Sequence, residues 1–97
     1  MYIVKNRSIY DIVETILEVS QAPVIKSAIQ RSTGLNWKYL NEHVVILVEK
    51  GLLDEVTFEN KLYYVTSEKG QDFLELKKEM KNYIEIEIEN SKKFMAR

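Results

Sequence analysis

The chain has 97 residues, 45% apolar and 30% charged, with three glycines and one proline, which fits one compact domain and excludes a two-domain enzyme. Fourteen Lys and Arg stand against fifteen Asp and Glu for a formal charge of −1, so the bulk charge demands neither nucleic acid nor an anionic membrane. Cysteine is absent, which removes disulfides, thiolate nucleophiles and sulfur-ligated zinc, and the longest apolar run, Val44 to Val48, is too short to span a bilayer.

Lys5, Arg7 and Asp11 interrupt the opening segment before a signal-type apolar stretch develops, so an intracellular protein is expected. Ser8-Ile9-Tyr10-Asp11 has the form of a helix start, with the Ser8 hydroxyl set to accept a backbone N–H. Ile9, Ile12, Val13, Ile16 and Leu17 recur at three and four residues, predicting a helix over 9–20. Pro23 is tolerated at a first helical position, and Val24, Ile25, Ala28 and Ile29 predict a second helix over 23–32, stopped by Thr33-Gly34. Asn36 is a good N-cap for a third helix over 37–50 with Leu40, Val44, Leu47 and Val48 on one side and Gly51 at its end. The short turn containing Gly34 between these helices has the spacing of a helix-turn-helix unit, although a plain three-helix bundle would also use one.

Residues 52–58 and 61–66 are rich in β-branched and aromatic side chains, and Glu59-Asn60 supplies a turn, so a hairpin is expected over 52–66. Three helices followed by a hairpin is the order of a winged helix. Thr66 is the expected N-cap of a fourth helix with Glu68 in its first turn, and Phe73, Leu76, Met80, Tyr83 or Ile84, and Ile88 keep the helical interval. Ile84 to Glu89 alternates with period two, as a half-buried strand does; the flanks LELKKEMKN and NSKKFMAR favour continuing the helix. Such a helix would be roughly 43 Å long at 1.5 Å per residue, too long for its own domain. Its far half needs another surface, most simply the same helix of a second copy, through Met80, Tyr83, Ile84, Ile88, Phe94 and Met95.

Several short pieces in this order carry a resemblance: Lys26-Ser27-Ala28-Ile29, Gly34-Leu35-Asn36 followed by Trp37, Gly51-Leu52-Leu53, and Tyr64-Val65-Thr66-Ser67-Glu68-Lys69-Gly70 with Phe73-Leu74. Over roughly residues 9 to 80 the chain resembles the small archaeal winged-helix DNA-binding proteins that dimerise through an antiparallel coiled coil, a group spanning archaeal regulators and winged-helix proteins of archaeal viruses. The resemblance implies an α+β, mostly α fold, with a winged helix-turn-helix over 1–66 and a long C-terminal dimerisation helix over 67–97. It implies double-stranded DNA and a second copy as partners, antiparallel helix pairing, and a cytoplasmic, nucleoid-associated location. Members that coat DNA are basic, whereas this chain is slightly acidic and its wing carries Glu55 and Glu59 against Lys61.

The charge is nonetheless divided, with residues 1–53 at net +1 and residues 54–97 at net −2. Beside Trp37, the outward side of the third helix offers Lys38, Asn41, Glu42 and Val45, suited to guanine or phosphate, adenine, cytosine and a thymine methyl respectively. Such a mixed surface fits a sequence-preferring transcriptional regulator better than sequence-blind coating; read without the resemblance, it is equally the solvated face of an amphipathic helix. Lys5, Arg7, Lys26, Ser27 and Arg31, with Asn60 and Lys61 on the wing, are the candidate phosphate contacts.

Trp37 suits an amphipathic anchor, one of Tyr63 and Tyr64 belongs in the core, and Gly70 in the first turn of the fourth helix suits close packing against another backbone. His43, the only histidine, is expected to pack rather than ligate. No phosphate-binding glycine loop and no nucleophile with a base is evident, so no enzyme activity, cofactor, metal or small-molecule ligand is expected. The competing readings are a winged-helix protein-interaction module and a chromatin-type architectural protein.

Overall fold

A computed structural model describes residues 8–95, with side chains through Glu85. In chain order it contains α1 (Ile9–Val19), α2 (Lys26–Thr33), α3 (Trp37–Glu49), β1 (Leu53–Phe58), β2 (Lys61–Thr66) and α4 (Glu68–Met95). Ser8 caps α1, its hydroxyl accepting the Asp11 N–H at 3.1 Å, and Asn36 caps α3 by accepting the Tyr39 N–H at 2.9 Å. Gly34 ends α2 at φ 72°, its N–H donating to the Gln30 carbonyl at 2.8 Å. That left-handed backbone is the reason for a glycine there, since a Cβ at this position would touch nothing. Leu35, in the turn between α2 and α3, is buried and closes the bottom of the core.

The second helix starts at Lys26 rather than at Pro23. Val24 exchanges two backbone hydrogen bonds with Tyr64, at 2.9 and 2.7 Å, and becomes a one-residue third strand beside β2. Pro23 and the β-branched pair Val24-Ile25 favour this extended backbone, and the ladder bonds to β2 outweigh a first helical turn. The cap of α4 is Ser67, not Thr66: the Gly70 N–H donates to Ser67 Oγ at 3.1 Å. Thr66 is buried, and its hydroxyl donates at 2.7 Å to the carbonyl of Leu17, one of the last carbonyls of α1, which have no partner within the helix. Its N–H meets the Ser20 carbonyl at 2.7 Å, so the end of the hairpin is tied to the end of α1.

Ile16, Leu17, Ile29, Leu40 and Leu53 are fully buried and, with Val44, Leu47, Leu35 and Tyr64, form the core shared by α1, α2, α3 and the hairpin. The strands pair antiparallel from Leu53 opposite Thr66 to Phe58 opposite Lys61. Side chains alternate faces along a strand, so Leu53, Tyr64 and Thr66 point inward together, while Val56, Phe58 and Tyr63 lie on the other face. Tyr64 is thus the core tyrosine and Tyr63 the half-buried one.

Helix α4 is continuous through the alternating Ile84–Glu89 stretch. Only its first turns pack on the core, through Phe73 and Leu74. Gly70 is required at this root, because a Cβ would overlap the Leu52 carbonyl oxygen and the Thr66 methyl. Beyond Lys77 the described side chains of the helix, residues 78–85, are exposed, and the molecule has a 63 Å long axis and a radius of gyration of 16.4 Å, where a compact domain of this length has about 13 Å.

Candidate nucleic-acid interface

The core stripe Leu40, Val44 and Leu47 turns the opposite side of α3 outward, and Lys38, Asn41, Glu42 and Val45 are exposed there; Trp37, seven residues before Val44, is exposed at the N-terminal end on the flank of the stripe. Trp37 is 48% and Val45 53% exposed, so both present apolar surface to solvent. The charges are mixed, with Lys38 beside Glu42 and Glu49 further along the helix. His43 lies off this face and is occupied locally, its Nδ1 bonded to the Tyr39 carbonyl at 2.8 Å.

Of the expected phosphate contacts, Arg31 is exposed near the end of α2, Ser27 is half-buried, and Lys5 and Arg7 lie outside the described residues. Lys26 is already engaged. Its Nζ donates to Asn41 Oδ1 at 2.8 Å and sits 5.8 Å from the centroid of the Tyr64 ring, joining α2, α3 and β2 at one point. The core position of Tyr64, together with Glu55, raises the pKa of its phenol above the ordinary value, burial being the larger cause. Two residues singled out separately in the sequence are therefore in contact. The Val24 bridge that sets Lys26 over the ring was missed in the sequence, and the clue to it was the extended Pro23-Val24-Ile25 run.

The wing tip is a two-residue turn with Glu59 at φ 49° and Asn60 at φ 66°. Asn60 and Lys61 are exposed there, but so are Val56 and Leu62, and Phe58 is 61% exposed. With Asp54, Glu55 and Glu59 on the same hairpin, the wing is apolar and acidic in character, which suits phosphate tracking poorly.

On α4, Leu76, Met80, Tyr83 and Ile84 are exposed, Tyr83 at 66%. Tyr10, Phe73, Leu76, Met80 and Ile84 line an open groove of about 660 Å³ edged by Lys77 and Lys81. Tyr10 was not singled out in the sequence, although it stands three residues before Val13 and seven before Leu17, at the edge of the apolar stripe of α1. Ile88, Phe94 and Met95, also expected on this seam, have side chains outside those described. Below the groove, Lys77 Nζ lies 3.2 Å from both Asp11 Oδ1 and Glu14 Oε1, which clamps α4 to α1. Bonds from Lys77 and then Ser8 hold the Asp11 carboxyl below its usual range, and Glu14 followed by Asp11 raises the Lys77 ammonium above its own.

Among the described residues no group of three or more His, Cys, Asp or Glu is arranged to hold a metal ion, and no helix is long and apolar enough to cross a membrane.

Solved structures that share the fold include the following two. A DNA-binding protein of Sulfolobus solfataricus, Sso10a-2, superposes with a TM-score of 0.74 at 21% identity, covering 90% of this chain and 92% of that one. A predicted DNA-binding transcriptional regulator from E. coli gives 0.57 at 16% identity, covering 84% of this chain and 83% of that one. No curated protein matches the chain. The model of the winged helix-turn-helix family matches residues 6–85, a span that takes in the capped helix pair, the hairpin and the root of α4, and the chain belongs to that family.

Proposed function

We propose that the protein is a homodimeric, sequence-preferring DNA-binding regulator without enzyme activity, which lays α3 in the major groove and pairs through α4. The observation that carries the reading is the outward face of α3, exposed and bearing Lys38, Asn41, Glu42 and Val45, with Trp37 exposed at its N-terminal end. The Sulfolobus solfataricus and E. coli structures similar to this chain are described as DNA-binding, which supports it. The exposed stripe Leu76, Met80, Tyr83 and Ile84 supports self-association, since a helix apolar on one side in water lacks a partner. Antiparallel pairing and nucleoid association follow from the resemblance to the archaeal proteins. The mixed charge of α3 and the overall −1 oppose a DNA-coating role.

Fluorescence anisotropy with labelled genomic fragments tests the reading. A dimer with about six to ten phosphate contacts loses roughly 10³- to 10⁵-fold in affinity between 50 and 200 mM salt. Absence of binding to any duplex at low salt refutes it. The exposed apolar wing, Val56, Phe58 and Leu62 with its acidic neighbours, favours as second reading a module that docks a protein, and a salt-independent, DNA-free complex is the result it expects.

A further inference from the structure

The contact between Lys26 and Asn41 has a direct bearing on which base α3 can read. An ammonium has donors only, so the amide atom facing Lys26 must be the oxygen, 2.8 Å away, and the NH₂ is turned from it. The ammonium also lies over the ring of the core residue Tyr64, 5.8 Å from its centroid, and the backbone two residues earlier is pinned to β2 by the Val24 bridge. Asn41, on the exposed face of α3, thus has its oxygen turned to a positive charge and its NH₂ directed away from that charge.

We propose that Lys26 is a positioning residue that makes Asn41 a hydrogen-bond donor, so that the pair selects guanine at the step Asn41 reads. Guanine offers two acceptors in the major groove, N7 and O6; adenine offers N7 beside a donor, thymine O4 alone, and cytosine only a donor. A free asparagine pairs with adenine by using its oxygen and its NH₂ together. Here Lys26 takes one of the oxygen's two lone pairs and turns that oxygen toward α2, so the NH₂ is the group left to meet a base edge, and the lysine charge adds to the preference for the edge richest in acceptors. Lys26 thus acts through Asn41, not as a phosphate clamp. The inference rests on the reading of α3 as a DNA-contacting helix.

The test is selection of bound duplexes from a random library by the full-length protein and its variants, each first checked for native circular dichroism. The wild type is expected to select guanine at the step that Asn41→Ala makes degenerate. Lys26→Met is expected to lose preference at that same step, by roughly 2- to 13-fold, the worth of one hydrogen bond. Its effect and that of Asn41→Ala do not add, and Lys26→Arg, which keeps a donor, restores the preference. Asn41→Asp, an acceptor only, should move the preference toward cytosine.

The salt dependence of Lys26→Met on a fixed mixed-sequence duplex stays that of the wild type. A Lys26→Met variant that binds all sequences more weakly, with its salt slope shallower by about one phosphate contact and its base preference kept, overturns the proposal. Adenine at the Asn41 step, or duplex binding with no preference at all, overturns it while leaving DNA binding intact. If no duplex is bound, the functional reading itself has failed, and the positioning claim is decided in the free protein. There, ¹⁵N relaxation of the Asn41 side-chain amide should show order in the wild type and its loss in Lys26→Met, and equal order in both refutes it.

Discussion

Two glycines show how differently the same residue type can be required. Gly34 is needed for its left-handed φ of 72°, with open space around it, so Gly34→Ala should cost about 1–2 kcal/mol from backbone strain alone. Gly70 is helical and would gain about 1 kcal/mol of propensity as alanine. Its Cβ would nonetheless meet the Leu52 carbonyl, and that backbone cannot move without shifting the start of the hairpin. Gly70→Ala is expected to destabilise the protein by about 1–3 kcal/mol in urea unfolding, contrary to propensity. The Lys77 clamp makes a prediction about pH. Asp11 has a depressed folded pKa, so its contribution is present above the ordinary carboxylate value and disappears as pH falls through the depressed one. Lys77 is raised, so its part is complete below the ordinary lysine value and fades only as pH climbs past its own. Lys77→Met should therefore be less stable than wild type at pH ~7, with the gap closing toward pH ~2.5, below the carboxylate range. An equal gap at both pH values would mean that the clamp contributes through packing of the lysine stem.

At the scale of elements, the seam on α4 is the most exposed assignment to test. Met80→Glu with Ile84→Glu should give a monomer by light scattering at tens of micromolar while leaving the far-UV spectrum of the winged helix intact; a mass unchanged from wild type would place the self-contact elsewhere. The helices, the hairpin and the turn at Glu59-Asn60 were legible because each rests on local signals: apolar periodicity, a cap three residues ahead of its N–H, a turn pair between β-branched runs. What escaped was decided at a distance. Val24 left the helical pattern because Tyr64, forty residues on, offered two hydrogen bonds. Thr66 yielded its capping role to Ser67 because the buried Leu17 carbonyl needed a donor. The site divides in the same way. The exposed face of α3 follows from which residues are core, whereas the engagement of Lys26 with Asn41 depends on how α2 and α3 cross, which no spacing within either helix encodes.

For the molecule as a whole, the near-neutral charge is unevenly placed. The helix-turn-helix half is slightly basic, while the wing and α4 are acidic. The joint at the root of α4 adds a mechanical consequence. Only Ser67 separates the hairpin from the helix, Gly70 is seated on the Leu52 carbonyl, and Lys69 Nζ donates at 2.8 Å to the Lys50 carbonyl at the end of α3. There is no hinge, so α4 acts as a stiff arm whose direction is set relative to α3. In a helix-paired dimer the separation of the two reading heads is then a built-in ruler. Each base pair inserted between half-sites moves them about 3.4 Å apart and turns one around the duplex axis, which a rigid ruler cannot follow. Affinity measured across a series of spacings should therefore peak sharply at one length, and inserting two glycines after Ser67 should flatten that peak.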